Sequence, residues 1–287
     1  MNMKELWRKK FKPADLSKPG REMAEDEYFC KEDGLIYCAK CRTPLETAVD
    51  VGHFGVIMRL PVSCKCRIEE RERRKRAMDE AQRRARAESN RIKGIADTTY
   101  HKFRFENDRG YNAPVLKMAK KYVAGWDMVE KENGGLLIWG DTGTGKTFTA
   151  ACIANALIDK GAKVMMTSLP WLVDELTGRQ SRSRNEFIES LNSYDLLIID
   201  DLGTESGSAY GLEQIYRIID GRYRCGKPLI ITTNLNPREM QAEKDVAYKR
   251  IYDRVLAMSI PLKMNELNIR RKDTAKKTKT MKSLLQD

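Results

Sequence analysis

From residue 95 onward, short continuous apolar runs alternate with longer amphipathic stretches. Leu136–Trp139, Lys163–Thr167, Leu196–Ile199 and Leu229–Thr233 are rich in Leu, Ile, Val and Met with little polar alternation. That is the pattern of strands covered on both faces. Between them, apolar residues recur at helical spacing over Ala113–Glu130, Thr147–Ile158, Pro170–Leu176, Leu212–Tyr223 and Ala247–Leu256. A last strand is expected near Met258–Leu262, where Pro261 favours a sheet edge. Strands alternating with helices imply an α/β domain, with a parallel sheet flanked by helices.

Upstream the pattern changes. Residues 67–94 form a charge run with no Pro and no Gly before Gly94. It predicts a helix whose few apolar positions are mostly Ala, so a solvated connector and not a core element. The expected organisation is a polar segment over 1–29, a cysteine-rich module over 30–66 and a charged helical linker over 67–94. The α/β domain follows over 95–269, then a basic tail over 270–287 that should fray.

The strand at Leu136 runs into Gly140-Asp141-Thr142-Gly143-Thr144-Gly145-Lys146-Thr147, in which every fixed position of a phosphate-binding loop is filled. Its glycines let backbone N–H groups converge on a β-phosphate, and the following helix adds its positive end. Lys146 can reach the β- and γ-phosphates, and the Thr147 hydroxyl is placed for Mg²⁺. The chain is therefore expected to bind a nucleoside triphosphate.

Turnover needs more. Asp200, at the end of the Leu196–Ile199 strand, is the candidate Mg²⁺ carboxylate, and Asp201 the candidate base for an attacking water. Asn234, after Thr232-Thr233, can orient that water or simply cap the turn before Pro237. Arg250 and Arg254 lie one helical turn apart. Arg254 is the first candidate for a guanidinium inserted into a neighbouring subunit's site, with Arg250 second. A surface ion pair with Asp253 or Glu243 is the plainer alternative.

Gly140–Thr147, Asp195–Gly203, Ile218–Tyr223, Ile230–Leu235 and the ending Asn268–Lys272 together resemble the signature segments of DnaC/DnaI-type replicative helicase loaders. The resemblance covers about residues 95 to 272. It implies an AAA+ P-loop fold that uses ATP with Mg²⁺ and self-associates through its ATPase domains. It also implies single-stranded DNA and a hexameric replicative helicase as partners, with Asn234 as first sensor, Arg254 as finger and Arg270 or Arg271 as a late basic contact. A transposition helper ATPase has a similar core but normally lacks a cysteine module. A nucleotide-gated DNA-binding adaptor with little turnover is the third reading, supported by Asp201 where many ATPases carry Glu.

The N-terminus Met1–Lys10 has no apolar core, and no apolar run is long enough to span a bilayer. A cytoplasmic location without membrane association is expected, and with it reduced cysteines. Cys38-Ala39-Lys40-Cys41 and Cys64-Lys65-Cys66 then match four thiolates around a tetrahedral Zn²⁺, with Cys30 and His53 as possible substitutes. Such a zinc module could dock the helicase or touch DNA. A net charge of +12 over 287 residues suits a polyanionic partner. Arg179, Arg182 and Arg184, in an expected loop, are candidate phosphate contacts on a DNA path.

Overall fold

The fold is that of a computed structural model, which describes residues 14–51, 56–178, 181–203, 209–265 and 268–285. The chain forms two compact units, residues 1–82 and 83–287. The division falls inside α1 (Lys65–Gly94), the charged helix.

The larger unit is built on five parallel strands: β5 (Gly135–Trp139), β6 (Val164–Ser168), β7 (Leu196–Leu202), β8 (Leu229–Thr233) and β9 (Ser259–Lys263). Their order across the sheet is β6-β7-β8-β5-β9. The apolar runs lack alternation because both faces are covered. Leu136, Ile138, Ile198 and Ile230 enter one core, while Leu137, Leu197, Ile199, Leu229 and Ile231 enter the other. Pro261 sits on edge strand β9, as expected.

Helix α4 (Lys146–Asp159) packs on the first face with α2 (Ala113–Ala124). Helices α5 (Leu169–Thr177), α7 (Ala209–Cys225) and α9 (Val246–Met258) pack on the second. The end of α1 is wedged against β6. A Cβ on Gly94 would meet the Val164 carbonyl oxygen at 1.9 Å, and Ile95 bridges to Met166. Arg222, fully buried on α7, donates to the carbonyls of Tyr194 (2.8 Å), Asp195 (2.9 Å) and Pro228 (2.9 Å). It thereby pins the segments that lead into β7 and β8.

Four local expectations are corrected. The helix expected over Ala113–Glu130 breaks at Gly125 into α2 and α3 (Trp126–Lys131). The expected loop carrying Arg182 and Arg184 is instead α6 (Ser181–Asn192), whose Phe187, Ile188 and Leu191 pack on the second core; Arg179 lies outside the described residues. Strand β7 continues through Asp200 and Asp201 to Leu202. The tail expected to fray is helical over α10 (Ile269–Leu284), started by Asn268, whose side chain accepts from the Arg271 N–H. A short α8 (Pro237–Ala242) follows β8 behind an Asn236–Glu239 capping box.

The smaller unit holds two antiparallel ribbons, β1 (Glu27–Cys30) with β2 (Leu35–Cys38) and β3 (Glu46–Val51) with β4 (Val56–Pro61). Among the described residues, its core is Ile36, Leu45 and the buried Cys38 and Cys64. Ion pairs supplement it. Glu27 accepts from Arg21 at 2.6 Å and Arg67 at 3.0 Å, and chiefly the Arg21 bond pulls its carboxyl down to about 2.

Candidate nucleotide site and cysteine cluster

The phosphate loop leaves β5 and enters α4 with Gly140, Gly143 and Gly145 at positive φ. Gly143 is the tightest of them: at φ +82° its missing Cβ would lie 2.5 Å from the Asn268 side-chain oxygen. Loop carbonyls are tied down from outside. Asn112 donates to the Thr144 carbonyl at 2.7 Å, Asn268 to that of Thr142 at 3.0 Å, and the Ile269 N–H to that of Gly143 at 2.8 Å.

Lys146 is buried and donates to the carbonyls of Gly140 (2.9 Å) and Asp141 (3.0 Å) and to Asn234 Oδ1 (2.6 Å). Burial pulls its pKa below the ordinary lysine value, against the opposing charges of Asp201 and Asp200. Thr147 donates to both Asp200 carboxylate oxygens at 3.0 Å. Asp200 also accepts from the Thr232 hydroxyl at 2.5 Å. Burial pushes the Asp200 carboxyl upward and the adjacent Asp201 charge adds to this, while the Thr232 and Thr147 bonds oppose it. A buried, raised carboxylate beside a hydroxyl is a donor set that suits a hard divalent cation such as Mg²⁺.

Asp201 has φ +61° and its N–H donates to Thr232 at 2.9 Å. It lines, with Lys146, Thr147 and Asn234, a cavity of about 840 Å³. The expected Lys146, Thr147, Asp200, Asp201 and Asn234 are thus brought together. The lining also includes Tyr100 and Phe103 from the turn Thr98–Lys102 and its cap, Phe148, and Arg270 at the start of α10.

Arg254 does not line this cavity. It pairs with Asp220 of α7 at 3.1 Å, not with Asp253 or Glu243, and its guanidinium lies 4.5 Å from the Tyr223 ring centroid. Asp220 is shared with Arg224 at 3.0 Å, and Arg250 covers Tyr216 in the same manner at 4.3 Å. Arg184 contacts the Tyr210 hydroxyl and ring.

In the smaller unit, the sulfurs of Cys38, Cys41, Cys64 and Cys66 all lie within 4.8 Å of one another. Cys66 Sγ is 3.2 Å from Cys64 Sγ and 3.5 Å from Cys38 Sγ. Four Zn–S bonds of about 2.3 Å put tetrahedral sulfurs about 3.8 Å apart, so the four fit a metal ion. Thr43 pulls the Cys41 thiol down, whereas the sulfurs of Cys64 and Cys38 push Cys66 up. Cys30 is outside the cluster and His53 outside the described residues.

Asn112, Thr232, Tyr100 and Phe103 carry no sequence signal of their own. Asn112 occupies a helix N-cap before Pro114, but its side chain bonds the phosphate loop instead of the helix. Among the described residues no helix is long and apolar enough to cross a membrane.

Comparison with known proteins places this geometry. The model of a family described as IstB-like ATP binding protein matches residues 65–277. The replicative helicase loader DnaC of Buchnera aphidicola subsp. Schizaphis graminum is 30% identical over 161 residues, 55% of this chain and 62% of that protein. The replicative helicase loader DnaI of Bacillus subtilis is 26% identical over 147 residues, 47% of each. The chain thus spans about half to three fifths of these relatives' length. A crystal structure of DnaI superposes with TM-score 0.51 at 23% identity, covering 59% of this chain and 94% of that one. The fold is the AAA+ P-loop fold.

Proposed function

The chain belongs to the IstB-like ATP binding protein family, and we propose that it is an ATP-hydrolysing loader of a hexameric replicative DNA helicase onto single-stranded DNA. The observation that carries the reading is Lys146, Thr147, Asp201 and Asn234 around one cavity, with Asp200 bonded to Thr147 beside it, in a chain whose relatives are named helicase loaders.

Gly140 to Thr147 would cradle the triphosphate, with Lys146 moving from loop carbonyls to phosphate oxygens. Thr147 and Asp200 would hold Mg²⁺, which neutralises charge on the β- and γ-phosphates when bound. Asn234 orients a water, and Asp201 takes its proton as the oxygen bonds to the γ-phosphorus. The bond to the β-phosphate oxygen breaks, giving ADP and phosphate. Arg254 would stabilise the developing charge from a neighbouring subunit, which requires self-association.

Cys38, Cys41, Cys64 and Cys66 would hold Zn²⁺ and so supply folding free energy to a unit whose described residues form a very small apolar core. Such a module suits docking on the helicase, and Arg184 beside Tyr210 suits contact with single-stranded DNA. A cytoplasmic location accords with both. The test is ATP turnover with single-stranded DNA and the helicase present. Asp201→Asn should lower it by about 10²-fold or more while ATP still binds. Tight ATP binding without turnover in the wild type would favour a nucleotide-gated adaptor instead.

A further inference from the structure

Asn155 is fully buried on α4 and belongs to none of the roles above. Its Nδ2 donates to the carbonyls of Tyr100 (2.8 Å), Phe103 (2.9 Å) and Ala151 (3.0 Å). Its Oδ1 accepts from Arg91 Nε at 2.9 Å. Arg91, itself buried in the last turn of α1, is held in turn by the carboxylates of Glu88 and Asp159. Because Arg91 has only donors, it fixes which way the Asn155 amide faces. The NH₂ group must point at the two carbonyls of the 100–103 turn.

That turn is a wall of the nucleotide cavity. The Phe103 ring lies 5.5 Å from Tyr100 and 5.3 Å from Phe148, which follows Thr147 directly in the chain. Two hydrogen bonds from one buried amide therefore hold an aromatic row against the residue next to a proposed Mg²⁺ ligand. Without the amide, the Phe103 carbonyl loses this partner and the Tyr100 carbonyl keeps only the Phe103 N–H at 3.1 Å, so the turn must shift to bring its carbonyls to water.

We propose that Asn155, oriented by Arg91, is a positioning residue that fixes the Tyr100–Phe103 wall and so sets the affinity for ATP. The proposal rests on the reading of this cavity as the ATP site. It makes the last turn of the charged helix part of the nucleotide pocket's support.

Two substitutions test it in the full-length protein. Asn155→Asp keeps an acceptor for Arg91 but cannot donate to Tyr100 and Phe103. Arg91→Met keeps the apolar stem of the side chain while releasing the amide, and it leaves Glu88 and Asp159, each about half exposed (56% and 49%), free to solvate. ATP·Mg²⁺ binding is read by titration calorimetry, turnover at saturating ATP is followed separately, and thermal melting reports the fold. Asn155→Asp should weaken ATP binding by about tenfold and Arg91→Met by about threefold, with saturated turnover within about twofold of wild type. Arg91→Lys, which can still donate to Asn155, should restore most of the affinity. Wild-type affinity in a folded Arg91→Met or Asn155→Asp protein would overturn the proposal while leaving the nucleotide site intact. Failure of the wild type itself to bind ATP would overturn both.

Discussion

Lys146 Nζ donates to Asn234 Oδ1 at 2.6 Å, so a charge-assisted hydrogen bond joins the phosphate loop to the residue that follows β8. Phosphate oxygens would compete for the same ammonium, which leaves the amide free to turn toward a water. Asn234→Ala should therefore leave ATP affinity within about threefold and lower kcat by about 10²-fold. Titration calorimetry with steady-state turnover separates the two. An equal loss in both would make Asn234 a ground-state contact instead.

Asp200 links stability to pH. Its folded pKa is raised above the ordinary 3.8, first by burial, so ionised Asp200 is penalised in the folded state. Its contribution to stability is full below the unfolded value and is lost as pH rises through the folded one. Asp200→Asn should accordingly melt higher than wild type at pH 7 without added Mg²⁺, by about 2–4 °C for roughly 1 kcal/mol, and lose ATP turnover. The gap should narrow as pH falls. Melting curves at several pH values give the sign, and a variant less stable at pH 7 would contradict the assignment.

The cysteine cluster should carry close to one Zn²⁺ per chain by elemental analysis. Cys38→Ser should release it and loosen the 1–82 unit alone, because Cys38 is both a proposed ligand and one of the few buried groups there. Limited proteolysis that stays within that unit is the expected result. Full zinc content in the variant would mean the ligand set is wrong.

Arg254 is anchored by Asp220 and by the Tyr223 ring, away from the cavity of its own chain. If it acts in trans, mixing Lys146→Ala with Arg254→Ala subunits should regain part of the turnover that neither has alone. Asp220→Asn should lower turnover by about tenfold through misplacing the guanidinium, with ATP affinity unchanged. No recovery in oligomers of confirmed mixed composition would remove Arg254 from the site.

Much of the catalytic side was legible in the sequence because its signals are local. A glycine loop between an apolar run and an amphipathic helix, and Asp200 at the end of another apolar run, each sit within a few residues of their context. The supporting residues were not. Asn112 meets Asn265, and Asn155 meets Arg91, across long chain separations, and a single Asn has no periodicity to betray it. The Arg254 ion pair is with Asp220, 34 residues away, and not with Asp253 or Glu243, the partners that sequence proximity offers. The charge of α10 argues for a fraying tail, whereas Asn268 marks a helix cap. The serines and arginines of α6 read as a loop, while Phe187, Ile188 and Leu191 supply the side packed on the core.

The central claim is tested most directly by loading a hexameric replicative helicase onto circular single-stranded DNA with ATP and Mg²⁺, read as strand displacement from a primed circle. The wild-type protein should raise helicase activity well above the level without it, and Lys146→Ala should not. Equal stimulation by Lys146→Ala, or none by a wild-type protein that binds ATP, would contradict an ATP-driven loader.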